Sequence, residues 1–196
     1  MEAALSGAII HYKQSAISLK SMVDRYTDRV VKRHERGHVG KLHLKLNRGI
    51  APRLAGWLGN PMLRDITKKM VEDFIDDRIA EGVAPRTVVN YAGVLSAVLK
   101  QAVDDGMLTK HPMTGVEMPV VDSPVHILTP DELGKLLSHA PKVLKKSDFM
   151  TPMIMFGAFG GLRSSEIQRL TWEDVRLDLN QLYVSPGKTK NAERWV

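Results

Sequence analysis

Gly161-Leu162-Arg163-Ser164-Ser165-Glu166, then Leu170-Thr171-Trp172-Glu173-Asp174, then Gly187-Lys188-Thr189-Lys190: three pieces, in this order, decide how the chain reads. The uncharged run from Phe149 to Leu162 delivers one arginine at its end. The strand-like residues Leu182, Tyr183 and Val184 then lead to a lysine on a polar turn, 25 residues after that arginine. Fixed cations on a buried scaffold are how a protein holds a phosphate whose charge grows during reaction. For Arg163 the plainer alternative is a helix-capping arginine paired with Glu166 or Asp174. For Lys188 and Lys190 it is solvation on a hairpin, and only their spacing from Arg163 lifts them above that.

Composition fixes the setting. With 43% apolar and 26% charged residues over 196 positions, the chain has the balance of an ordinary globular protein, one domain or two small ones. No apolar run reaches the roughly eighteen residues of a membrane span, and no secretory signal pattern opens the chain. The absence of cysteine excludes disulfides and thiolate metal sites, and makes a reducing cytoplasm the expected location. The net charge of +6 is uneven: residues 1–60 carry 11 basic against 4 acidic side chains, residues 61–127 carry 7 against 10, and residues 128–196 carry 10 against 8. An excess gathered in one segment is the footprint of a polyanion binder.

The N-terminal half reads as helices. Leu19, Met22, Val23, Tyr26 and Val30 recur at three- and four-residue steps, and the basic stretch Lys32 to Lys45 is expected to begin as a loop. Helical spacing resumes with Leu46, Ile50, Leu54, Trp57 and Leu58, with Pro52 predicting a kink or a fresh start. Thr67 is an N-cap for a helix that Gly82 ends, and Pro85 opens another with Val88, Tyr91, Leu95, Val98 and Ala102 on one side. Prolines 112, 119 and 124 mark residues 109–127 as a linker. Thr129-Pro130-Asp131-Glu132 is a capping box, expected to open a helix that buries Leu133, Leu136 and Leu137. Thr151 to Phe159 reads as a fully buried helix, Ser164 or Ser165 as the cap of a short one, and Arg194-Trp195-Val196 as a return strand. The expected layout is an N-terminal tail (1–17), a helical domain (18–108), the linker, and a mixed domain (128–196): mainly α with a small β element. Trp172 is expected in the core, and Asp174 capping a turn.

This arrangement resembles the tyrosine recombinase, or phage integrase, family over nearly the whole chain. The helix from Pro85, with its Pro-Arg-Thr-Val-x-Asn-Tyr entry and Gly-Met-Leu-Thr-Lys-His-Pro exit, looks like the last helix of that family's core-binding domain. Gly-Leu-Arg-x-x-Glu, Leu-x-Trp-x-Asp and a Lys-Thr turn are specific as a set, though weak one by one. The resemblance implies an all-α, SAM-like core-binding domain followed by the first part of an α+β catalytic domain. It implies that Arg163 clamps the scissile phosphate, with a planar and permanently charged fork suited to two oxygens. Glu166 matches an acidic supporting position, the alternative being a surface pair. Lys188 matches the hairpin lysine that protonates the departing 5′-oxygen, and Lys190 takes that role if the hairpin register differs by two. The family reaction is a tyrosine relay through a 3′-phosphotyrosine, with no metal and no nucleotide cofactor. Residue 160 is Gly where the family often has threonine.

The resemblance also places a second arginine with its histidine, and the nucleophilic tyrosine, well beyond the hairpin, and only eight residues follow Lys188. Tyr183 lies within the strand and is expected to pack. The expectation is a C-terminally truncated chain, incompetent for cleavage and monomeric, from a parent that self-associates on paired DNA sites. Lys32, Arg33, Arg36, Lys41, Lys45, Arg48 and Arg53 are candidate contacts to the backbone of double-stranded DNA, and Arg86 is placed near a groove by the family's clamp around the duplex. His34 and His38, with His43 beyond, could be read as metal ligands, but no cysteine or carboxylate completes a site, so a basic loop touching phosphate is the preferred reading and no metal is expected. Two further readings stand beside the recombinase: a non-catalytic DNA-binding regulator or competitor at recombination sites, and a helical protein that binds acidic partners.

Overall fold

A computed structural model of the protein describes residues 17–122, 124–143, 147–185 and 193–196. The chain divides into two compact units, residues 1–123 and 124–196.

Among the described residues the first unit has four α-helices and a 3-10 turn at Leu63–Asp65. Helix α1 (Leu19–Glu35) begins where the Ser18 hydroxyl accepts from Ser21 N, and it lays Leu19, Met22, Val23, Tyr26 and Val30 into the core. Contrary to the expected loop, the basic stretch stays helical to Glu35 and again from Lys41. Gly37, at φ +75°, turns the chain within five residues, and His34 Nδ1 closes that turn 2.8 Å from Val39 O. Helix α2 (Lys41–Trp57) continues through Pro52, so the chain does not make a fresh start there. The carbonyl that Pro52 leaves unpaired lies on the exposed face, where water can take it.

Thr67 Oγ1 accepts from Met70 N at the head of α3 (Lys68–Ala80), and Gly82 at φ +82° ends it. Pro85 occupies the first position of α4 (Pro85–Asp104), whose Val88, Leu95, Val98 and Ala102 are buried. Trp57 packs on Tyr91 and Phe74 with ring centres 4.8 and 6.0 Å away, joining α2 to α3 and α4. The expected linker begins as part of this unit. His111 Nδ1 accepts from Met113 N, its Nε2 lies 3.1 Å from Ser96 O, and the Met113 side chain enters the core. Prolines do not prevent a segment from packing when its side chains can lock onto a helix.

One buried polar pair ties α1 to α2. Tyr26 Oη donates to Asn47 Oδ1 (2.7 Å), and Asn47 Nδ2 donates to His43 O (2.8 Å). Asn47→Ala removes the acceptor of the buried Tyr26 hydroxyl and is expected to lower stability by about 2 kcal/mol. Urea unfolding checks this, and a double variant with Tyr26→Phe should lose less than the sum of the two singles.

The second unit opens with α5 (Pro130–Val143), capped as expected: Thr129 N and Oγ1 donate to Glu132 Oε2, and Glu132 N donates to Thr129 Oγ1. It packs on α6 (Ser147–Ala158), which leads to the single turn α7 (Ser164–Ile167) and a 3-10 turn, Trp172–Asp174. Three short strands, β1 (Val175–Arg176), β2 (Gln181–Val184) and β3 (Arg194–Trp195), form an antiparallel sheet in that order. Its registers are Val175↔Leu182 and Val184↔Arg194. Strand β1 was not expected. The core here is small: Leu162, Ile167, Leu182 and Val184, with Met153, Phe156, Leu170 and Val175 against them.

Three burial expectations fail in this unit. Leu136 is exposed and Leu133 and Leu137 are only half-buried, Phe149, Met155 and Phe159 are exposed on or beside α6, and Trp172 is 85% exposed. The side chains have core chemistry, but the described residues supply no layer to cover them. Phe149, Pro152, Met153, Leu170, Trp172 and Leu177 instead line an open apolar groove. The Asp174 expectation holds, since its carboxylate accepts from Thr171 N and Oγ1. No helix among the described residues is long and apolar enough to cross a membrane.

Candidate nucleic-acid interface and phosphate site

The turn after α6 aims Arg163. Gly161 takes φ +61°, Leu162 anchors the chain in the core, and Arg163 follows in extended conformation as the residue before α7. Gly160 also has a local reason. A β-carbon there would come within 2.9 Å of Phe156 O and 2.8 Å of Leu162 Cδ1, so a threonine could not take this backbone without displacing it.

Glu166 is the hub. It is 4% exposed, and its two oxygens gather four donors. Arg163 N reaches Oε2 at 2.9 Å and Arg163 Nη1 reaches Oε1 at 3.0 Å. From β3, Arg194 Nη2 lies 3.0 Å from Oε2 and Nη1 lies 3.4 Å from Oε1. A carboxylate so bonded strongly favours its charged form. The Arg194 hydrogen bonds first, then the Arg163 backbone N–H, hold Glu166 down to about 2, against an opposing push from burial. The Glu166 carboxylate is thus buried under two arginines and is not a solvated surface pair. The Arg163 side chain itself is 74% exposed, with most of its fork turned to solvent on a fixed base.

The stability this carboxylate confers is full above its ordinary value of 4.5 and is lost as pH falls through 4.5 toward 2. Acid titration of near-ultraviolet circular dichroism should therefore show a loss of structure in that window, and Glu166→Gln should abolish that part of the pH dependence.

Lys188 and Lys190 lie outside the described residues, in the connection from β2 to β3. Tyr183 is half-buried, packed 5.1 Å from the Trp195 ring, and its hydroxyl donates to Glu193 Oε1 at 2.6 Å. That carboxylate raises the phenol above its ordinary value, the reverse of what activates a nucleophile.

The eight cations expected to meet nucleic acid are all exposed. Lys32 and Arg33 lie in the last turn of α1, Arg36 caps it, and Lys41, Lys45 and Arg48 follow one face of α2, with Arg53 further along. Arg86 stands apart, in the first turn of α4. Several other basic side chains of this unit are paired with carboxylates: Lys68 with Glu72, Lys69 with Asp73, Arg78 with Glu81, Lys100 with Asp104, Arg29 with Asp105. Among the described residues none of the eight has such a pair, and α2 contains no acidic residue. Arg33 also lines a cleft with Arg29, His43 and Lys100. Arg194 was not singled out from the sequence as a site residue. Arg194 had one usable signal, a return strand whose register with Val184 puts both on one side of the sheet.

No protein-family profile matches the chain. It is 25% identical over 150 residues to the ICEBs1 integrase of Bacillus subtilis (strain 168), covering 68% of this chain and 39% of that protein. It is 31% identical over 98 residues to the prophage integrase IntR of Escherichia coli (strain K12), covering 50% of this chain and 23% of that protein. The chain thus spans well under half the length of either relative. Among solved structures, a lambda integrase dimer bound to a COC′ core site matches with a TM-score of 0.78 at 19% identity, over 98% of this chain and 51% of that one. The Tn1549 transposon integrase in complex with circular intermediate DNA matches with a TM-score of 0.64 at 20% identity, over 92% and 59%. At these identities the likeness is one of fold.

Proposed function

We infer, for a chain that belongs to the tyrosine recombinase, or phage integrase, family, that it works in the cytoplasm as a site-specific DNA recombinase of that class. Its helical unit grips double-stranded DNA through the exposed cations of α1 and α2, and Arg163 holds a backbone phosphate. The observation that carries this reading is Arg163 itself: an exposed guanidinium whose base is fixed by a buried carboxylate. Such a group meets a phosphate without first being ordered, so the electrostatic gain is not spent on immobilising a long side chain.

In this reading Glu166 supports Arg163 and touches no DNA. Lys188, or Lys190 in the alternative register, donates the proton to the leaving 5′-oxygen. No residue of this chain is assigned as the nucleophile. Lambda integrase is found as dimers and tetramers on DNA, and self-association on paired sites is carried over as part of the proposal. No observation favours the competing readings of a non-cleaving regulator or a binder of acidic proteins.

Duplex binding measured against salt tests the proposal. Log affinity should fall linearly with log salt at a slope of about 0.9 per neutralised phosphate, so seven or eight contacts give a slope of roughly six to seven. A chain with no duplex affinity at low salt would contradict it.

A further inference from the structure

We propose that Arg194 is a positioning residue for Arg163, acting through Glu166; this rests on the reading of Arg163 as a phosphate ligand. The two arginines share one carboxylate but differ in aspect. The Arg163 side chain is 74% exposed, whereas that of Arg194 is 34% exposed and lays its fork across both Glu166 oxygens. An Arg–Glu pair three residues apart on a single helical turn is a weak and mobile arrangement by itself. Arg194 arrives from 28 residues further along the chain and fixes the carboxylate from outside that turn. Its Nη2 also lies 3.5 Å from the carbonyl of Gly161, where the backbone bends toward Arg163. One guanidinium thus holds both the bend that delivers Arg163 and the acid that steadies it. Arg194 opens β3, paired with Val184 of β2, so the contact joins the sheet to the turn that carries Arg163.

The test is a double-variant cycle read by duplex DNA affinity of the folded 196-residue chain at fixed salt. Arg163→Ala should weaken binding about tenfold, the worth of one charge-assisted hydrogen bond. Arg194→Ala should weaken it to a similar degree, Arg163→Ala/Arg194→Ala should bind no worse than Arg163→Ala alone, and Arg194→Lys should recover part of the loss. A residue that only stabilises the fold leaves the affinity of folded molecules untouched. The proposal is overturned if Arg194→Ala binds like the parent while Arg163→Ala is weakened, or if the two losses multiply. An Arg163→Ala chain that binds like the parent removes the phosphate reading and this proposal together. If Arg194→Ala does not fold, Arg194→Gln takes its place in the cycle and is judged by the same outcomes.

Discussion

Replacing Lys41, Lys45 and Arg48 together with alanine is expected to cost about a hundredfold in duplex affinity at about 0.15 M salt, and to flatten the salt slope by about three units. The three side chains sit at i, i+4 and i+7 on the exposed face of α2, away from Asn47, Ile50, Ala51 and Leu54, which enter the core. Removing them therefore takes away the proposed phosphate contacts without opening the core, and alanine is the better helix former at all three positions. Melting temperature should be unchanged or slightly higher. Three lysines elsewhere give the control: Lys68, Lys69 and Lys100 are already paired with Glu72, Asp73 and Asp104, so their removal should change affinity far less. Fluorescence anisotropy with a labelled duplex over a salt series measures both quantities.

Leu95→Ala is expected to destabilise the helical unit by about 3 kcal/mol, or roughly 15 °C in melting temperature for a domain of this size. Leu95 has no exposed surface and stands midway along α4, the helix that packs on α1, α2 and α3. A cavity there cannot be filled by a local shift, because Val88, Ala92, Val98 and Leu99 around it are themselves fully buried. The effect should be confined to the first unit. The small core of Leu162, Ile167, Leu182 and Val184 is a separate cluster and should keep its own transition. Thermal unfolding followed by hydrogen exchange separates the two.

How far the sequence could be read depended on whether its signals were local. Thr67, Gly82, Pro85 and the Thr129–Glu132 box act on their own turn of helix, so each end they mark is where the structure has it. Pro52 misled because a helix tolerates a missing N–H when the freed carbonyl faces water. Trp172, Leu136 and Phe159 misled for a different reason. An apolar side chain states that it can be covered, not that a neighbouring layer is there to cover it. At the site, Arg163 and Glu166 were legible as a pair because they lie on one turn. That Glu166 is buried, and that a second arginine completes its coordination, depends on strand register and needed coordinates. The glycine-for-threonine departure at residue 160 likewise acquires its reason only from the Phe156 carbonyl beside it.

In the proposed function a single duplex meets both the exposed cations of α2 and the guanidinium of Arg163. Arginine side-chain nitrogen resonances, recorded while a short duplex is titrated into the chain, test it most directly. Arg48, Arg53 and Arg163 are predicted to shift together, saturating at the same ratio of DNA to protein, while Arg78, paired with Glu81, stays in place. A spectrum in which Arg48 and Arg53 respond and Arg163 does not would contradict it.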